Sequence, residues 1–154
     1  MNYQILKKNY ALSDVKCHIE KPIVMFGKER DSINRFVANF VGVFERALGD
    51  LDADDTLSSV DLRAACRECG DLLSVHFSAE FSRYDAPADV YYRSFVFDMQ
   101  NGTLVLLSDV TDREFADRHK GWSFYIGDRG VTAYHVDKDG HTVKREIGKL
   151  TLRE

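Results

Sequence analysis

The stretch Tyr91-Tyr92-Arg93-Ser94-Phe95-Val96-Phe97-Asp98-Met99-Gln100-Asn101-Gly102-Thr103-Leu104-Val105-Leu106-Leu107-Ser108-Asp109 decides how this chain is read. Two runs rich in aromatic, branched and aliphatic residues meet at Asn101-Gly102, and both of these residues tolerate the positive φ that a tight turn demands. The pattern predicts a β-hairpin. Upstream, Leu72 to Phe81 alternates Val75, Phe77, Ala79 and Phe81 against polar neighbours, which predicts a strand with one buried face. Before it, Val60, Leu62, Ala64 and Cys66 alternate with Asp61, Arg63, Ala65 and Arg67. Alternation favours a strand there, with a turn at Glu68 to Asp71, over the short helix that Ala64-Ala65 would favour on propensity. Downstream, Trp122 to Ile126 and Val131 to Val136 predict a further hairpin around Gly127-Asp128-Arg129-Gly130, and Asp137 to Gly140 turns the chain into a last strand from Thr142 to Leu152.

The period changes in two places. Ile33, Phe36, Val37, Phe40, Val41, Phe44 and Leu48 recur at helical spacing and predict a long amphipathic helix over about 31–48, capped by Asp31 or Ser32 and ending at Gly49. Residues 109–119 predict a short capped helix. Near the N-terminus Val15, Cys17 and Ile19 alternate with Asp14, Lys16 and His18, a strand that Pro22 should end. The predicted class is α+β: an antiparallel sheet of consecutive hairpins, with one long helix on one face and a short helix near 110–119. The opposite face, carrying His18, His76, Ser78 and Glu80, is expected to be solvated or to meet a partner.

Length and composition agree with a single α+β domain over 1–154. A chain of 154 residues buries a core without staples. At 44% hydrophobic and 30% charged residues it lies near the globular average, which excludes disordered and fibrous classes. A net charge of −4, with lysine and arginine scattered along the chain, argues against a nucleic-acid partner. Met1 to Leu12 lacks the apolar run of a signal peptide and no later run approaches transmembrane length, so the chain reads as cytoplasmic. Were further residues to precede Met1, the same domain would suit an extracytoplasmic setting. Three cysteines, Cys17, Cys66 and Cys69, make no disulfide framework.

Several motifs bear on chemistry. Cys66-Arg67-Glu68-Cys69 has the two-residue gap with which paired thiolates hold zinc or form a redox couple, but a zinc site needs four ligands and no second such pair exists. Asp50, Asp52, Asp54 and Asp61 fall at the first, third, fifth and twelfth places of a calcium loop after the long helix; Asp55 stands where such loops want Gly, and the last ligand is Asp where Glu is usual. Core packing is the reading for the helix stripe and a solvated loop the reading for the acidic run, so no metal and no cofactor is expected. His76, His119, His135 and His141 are dispersed, no serine lies in a Gly-x-Ser-x-Gly turn, and Gly127 to Gly130 lacks the lysine and helix of a phosphate loop. No catalytic set is assembled, and the chain is expected not to be an enzyme.

The remaining candidate is a recognition surface. Arg83, Tyr84, Asp85, Asp89, Tyr91, Tyr92 and Arg93 combine tyrosine and arginine, which bury area while keeping a polar end satisfied. Adjacent strand residues point to opposite faces, so Tyr91 and Tyr92 cannot both meet one partner.

With these residues in hand, the chain resembles the domain of unknown function at the C-terminus of RsiV-type anti-sigma factors, which respond to lysozyme, and of some peptidoglycan deacetylases. The likeness runs roughly from Val15 to Val136: Pro22, Ile33-Asn34, Leu73-Ser74-Val75, Tyr84, Phe97-Asp98, Asn101-Gly102, Leu104 to Leu107 before Ser108-Asp109, Phe124-Tyr125-Ile126 and Gly130-Val131. Where that family has Gly-Gly-Ala-His after its tyrosine, this chain has Asp85-Ala86-Pro87-Ala88-Asp89. The resemblance implies the fold and a bacterial module that binds a protein or a cell-envelope ligand. The alternative from the residues themselves is a small calcium- or zinc-binding protein or metal-dependent enzyme.

Overall fold

The structure is a computed structural model that describes residues 2–50, 56–127, 130–137, 139 and 141–147. Its elements follow the order β1 (Tyr3–Leu12), β2 (Val15–Val24), α1 (Arg30–Gly49), β3 (Leu57–Cys69), β4 (Leu72–Arg83), β5 (Asp89–Asp98), β6 (Thr103–Leu104), α2 (Leu107–Val110), α3 (Arg113–Arg118), β7 (Ser123–Gly127), β8 (Gly130–Val136) and β9 (Thr142–Ile147). The class is α+β, as predicted. Strands form a six-stranded sheet in the order β1-β2-β3-β4-β5-β6 and a three-stranded sheet β7-β8-β9. Two compact units share the chain, one made of Met1–Ala65 and Phe77–Arg93, the other of Cys66–His76 and Ser94–Glu154. Among the described residues no helix is long and apolar enough to cross a membrane.

In the first unit, α1 lays Ile33, Val37, Val41 and Leu48 into the core beside Cys17, Ile19, Val60 and Leu62. Complete burial of each such side chain contributes about 1.5–3 kcal/mol, before the cost of ordering it. Asn34 ties the helix to β2 with two bonds, accepting from Val24 N at 2.8 Å and donating to Val24 O at 3.0 Å. Neither predicted cap acts: Glu29 occupies the cap position without a side-chain bond, and Asp31 sits inside the first turn, where its charge suits the helix N-terminus. Since α1 connects β2 to β3, these two strands run parallel, from Lys16 opposite Ser59 to Ile19 opposite Leu62. The expected antiparallel sheet of hairpins is thus mixed at this pair, because a helical crossover returns the chain to the same end of the sheet.

Other boundaries differ for identifiable reasons. β2 continues through Pro22, which lies opposite Ile5 of β1 and beyond the ladder with β3, so its missing N–H breaks no bond there. β1 itself was not signalled, being largely exposed along its length. β3 is a strand from Leu57, which settles residues 60–66 against the helical option.

In the second unit the Asn101-Gly102 connection is longer than a two-residue turn. Residues 99–102 join Asp98 to Thr103; only Gly102 takes a positive φ, of 69°, and the Asp98 carboxylate accepts from the backbone N–H groups of Gln100 and Asn101. The predicted helix over 109–119 is two short helices, because Thr111 breaks out in extended conformation and Asp112 caps α3 by accepting from Phe115 N. The core gathers Leu72, Val96, Val110, Ile126, Val131 and Ala133, with Trp122 packed against it. The sheet β7-β8-β9 is a correction to the single-sheet expectation. Residues 128, 129, 138, 140 and those after 147 lie outside the described residues.

Candidate functional site

Strand β4 ends at Arg83 and β5 begins at Asp89, so the intervening loop, containing Pro87, sets the predicted recognition residues at one end of the first unit. Arg83 braces that end: its Nε donates to Asp89 Oδ2 at 3.3 Å and its guanidinium to Thr56 Oγ1 at 2.9 Å, while Tyr84 N donates to Thr56 O. Three tyrosines stand exposed, Tyr84 at 70%, Tyr91 at 60% and Tyr92 at 40%. The Tyr91 ring meets Phe81 edge-on, with centroids 5.7 Å apart.

Next to them opens a groove of ≈300 Å³, lined by Phe40 and Phe44 of α1, Leu62 of β3, Phe77, Ala79 and Phe81 of β4, and Tyr91, Tyr92 and Arg93 of β5. Its walls are built by ring contacts, Phe40 on Phe77 at 4.7 Å and Phe44 on Phe81 at 6.1 Å. Arg83, Asp89, Tyr91, Tyr92 and Arg93 therefore belong to one neighbourhood, with Tyr84 and Asp85 in the adjoining loop. The phenylalanines are the members that the sequence reading missed. Their signal was the i, i+4 pair Phe40/Phe44, absorbed into the core stripe.

The polar face of the first unit is organised differently. His18 holds Asn9 Oδ1 at 2.7 Å through Nδ1 and Glu20 Oε2 at 2.8 Å through Nε2. Glu20, 6% exposed, also accepts from Ala64 N at 2.9 Å. Burial pushes the Glu20 carboxyl up, but the bonds from His18 and from Ala64 N outweigh it and hold the group below its usual 4.5. A shallow depression of ≈570 Å³ runs past Asn9, Lys16, His18, Asp61 and Arg63. Glu20 is saturated by neighbours of its own sheet, so the cluster clasps strands where the β2/β3 ladder ends.

His76 was expected on an open face, and the second unit closes it. Its Nδ1 lies 2.6 Å from Ser94 Oγ, and Ser94 Oγ lies 2.6 Å from Tyr134 Oη. Burial, then the Lys144 charge, holds His76 below its usual 6.5. A serine beside a histidine suggests a nucleophile, but Ser94 is 7% and Tyr134 3% exposed, leaving the hydroxyl no approach for a substrate. Trp122 stands between His119 and His135, at 4.6 and 4.1 Å.

The metal candidates separate. Cys66 and Cys69 lie on the single strand β3, where a three-residue step spans about 10 Å and points to opposite faces, unlike thiolates sharing an ion. Burial, with the Glu68 charge, pushes the Cys66 thiol up to about 12. Of the calcium positions, Asp50 ends α1 and Asp61 lies within β3, while Asp52 and Asp54 fall outside the described residues. Among the described residues the ligand atoms of Asp137, Asp139 and His141 converge within 4.8 Å. There Asp137 Oδ1 already accepts from the N–H groups of Asp139 and His141, the turn chemistry that Asp137 to Gly140 predicted.

Solved structures share this fold. One, a DUF3298 family protein from Pseudomonas aeruginosa PAO1, matches with a TM-score of 0.66 and 13% identity over 97% of this chain and 94% of its own. Another, a DUF3298 family member from Bacteroides fragilis NCTC 9343, matches with a TM-score of 0.57 and 11% identity over 97% of this chain and 93% of its own. Its structural neighbours are domains of unknown function. At these identities the likeness is one of fold. No family model and no curated protein matches the chain.

Proposed function

We propose that this chain is a non-enzymatic binding module that recognises a protein or cell-envelope ligand through residues 83–93. The observation that carries the reading is the set of exposed tyrosines at 84, 91 and 92 beside the groove of Phe40, Phe44 and Phe81. Aromatic anchors next to an apolar recess are where association energy concentrates. The resemblance to the domain of anti-sigma factors and peptidoglycan deacetylases supports an envelope setting. Ser94 and Cys66, the most nucleophile-like groups, support no competing enzymatic reading, since one is closed in and the other is held as a thiol.

The test is a binding screen of the whole chain against arrayed extended peptides and soluble peptidoglycan fragments, repeated with Tyr84→Ala, Asp89→Ala and Tyr92→Ala combined. Loss of two tyrosine anchors should weaken a genuine ligand about 1,000-fold, at about 2 kcal/mol for each tyrosine lost. Binding that survives the triple substitution removes this surface. Thermal melting with calcium and zinc in parallel addresses the metal alternative, which a raised midpoint would favour.

A further inference from the structure

We propose that Asn101 is a site of deamidation whose rate is set by Asp98, which holds both reacting groups of Asn101-Gly102 in place. The chain has five asparagines; Asn2, Asn9, Asn34 and Asn39 are followed by Tyr, Tyr, Arg and Phe, whereas Asn101 is followed by Gly102. Deamidation begins when the backbone nitrogen of the next residue attacks the asparagine Cγ, and glycine has no Cβ to shield that nitrogen or to restrict its approach. Asn101 is exposed in the connection between β5 and β6, where water reaches its amide.

One residue occupies both reactants. Gly102 N, the attacking atom, donates to Asp98 O at 2.8 Å. Asn101 Nδ2, the leaving nitrogen, donates to Asp98 Oδ2 at 3.1 Å. Asp98 Oδ1 accepts from the backbone N–H groups of Gln100 and Asn101 at 2.9 and 3.2 Å, which fixes the carboxylate itself. The turn between β3 and β4 anchors the same loop: Met99 N donates to Asp71 O at 2.8 Å and Gln100 Nε2 to Asp71 Oδ2 at 2.9 Å. Ring closure requires the Gly102 N–H to give its proton to a solvent base, from which the bond to Asp98 O shields it. It also requires Cγ to close on that nitrogen, which the bond from Nδ2 to Asp98 resists.

When the loop opens, Gly102 N bonds to Asn101 Cγ, the Cγ–Nδ2 bond breaks, and the amide nitrogen leaves as ammonia with the proton that Gly102 gave up, returned by solvent. Water then opens the cyclic imide at either carbonyl. The product is aspartate or, where the main chain now runs through Cγ, isoaspartate. Neither is held as asparagine is, since the new carboxylate has no Nδ2 to donate and repels Asp98, and isoaspartate lengthens the path to Gly102 N by a methylene. Conversion therefore releases the loop that delayed it.

Incubation of the whole chain at mildly alkaline pH, followed by peptide mass mapping, reads conversion at Asn101 directly. Opening forfeits two hydrogen bonds, so the folded chain should convert about 30-fold more slowly than the same chain in concentrated urea. Asp98→Ala should raise the folded rate about tenfold and leave the rate in urea unchanged, and Asp98→Asn, which keeps an acceptor oxygen, should fall between. Gln100→Ala removes only an exposed anchor and should raise the folded rate about threefold, which keeps the test available if Asp98→Ala does not fold. Equal rates in the folded chain and in urea, or conversion in urea spread evenly over the five asparagines, overturn the proposal. So does a folded Asp98→Ala or Asp98→Asn chain that converts no faster than the unsubstituted one.

Discussion

Strand β5 passes through two different environments within ten residues. Its first five residues, in the first unit, are all exposed, and the next four, Ser94 to Phe97 in the second unit, are all buried. Hydropathy does not make the difference, since Val90, Tyr91 and Tyr92 are largely apolar in their bodies, like Phe95, Val96 and Phe97. In the second unit the three-stranded sheet is bonded to the residues beneath it, Tyr134 to Ser94 and Ile126 N to Ser74 Oγ at 3.0 Å. The first half of β5 lines a groove with Tyr91, Tyr92 and Arg93. The second unit buries its half of β5 under its own elements, and the first leaves Val90, Tyr91 and Tyr92 exposed.

Stability should follow this division. Ile126 is completely buried in the core of the second unit, and Ile126→Ala is expected to cost about 3–4 kcal/mol. Tyr91→Ala, which removes an exposed ring touching Phe81, should cost less than about 1 kcal/mol. Urea unfolding followed by far-UV circular dichroism and by the fluorescence of Trp122, the single tryptophan, compares the two. Similar losses would show that the edge is as firmly packed as the core and would break the contrast.

The legible parts of the fold were those whose signal is local. The α1 stripe, the alternation through β4 and the β7/β8 hairpin each depend on neighbours along the chain. The parallel β2/β3 pair was not legible, because pairing direction is decided by where a crossover lands. Pro22 misled for a related reason: a proline ends a strand only if its N–H is needed, and here the ladder with β3 has already stopped while the ladder with β1 runs on to Val24. Site residues divide in the same way. Tyr84, Tyr91 and Tyr92 stood out as aromatics out of pattern, whereas Phe40 and Phe44 carry the periodicity of a core stripe and become groove wall where they meet Phe77 and Phe81.

A second way to sharpen the contrast targets the hydrogen bonds that close the second unit. Tyr134→Phe leaves Ser94 and His76 to satisfy one another, while Ser94→Ala removes the hydroxyl that bridges both. Losing a buried donor or acceptor costs about 1–3 kcal/mol. Ser94→Ala should therefore be the more damaging, with Tyr134→Phe near the lower bound. Reversal of that order would place the central bond between Tyr134 and His76, which lie 3.3 Å apart.

The smallest expected effect is the dependence on pH, where the units should respond in different windows. His76 in the second unit is held below 6.5 by burial and the Lys144 charge. Above 6.5 it is neutral whether folded or unfolded. As pH falls through 6.5 the unfolded chain takes up the proton first, so stability declines until the folded midpoint is reached. Glu20 in the first unit is held below 4.5, where the bonds from His18 and Ala64 N exceed the opposing effect of burial. Its stabilising share is complete above 4.5 and is lost only as pH drops through the folded midpoint. Mild acid should thus loosen the second unit while leaving the Asn9–His18–Glu20 clasp intact, an order opposite to what their packing alone suggests. Amide hydrogen exchange at pH 7, 5.5 and 4 resolves the units, with His76→Asn flattening the upper window and Glu20→Gln the lower. An upper window that His76→Asn leaves unchanged would assign it to one of the other four histidines.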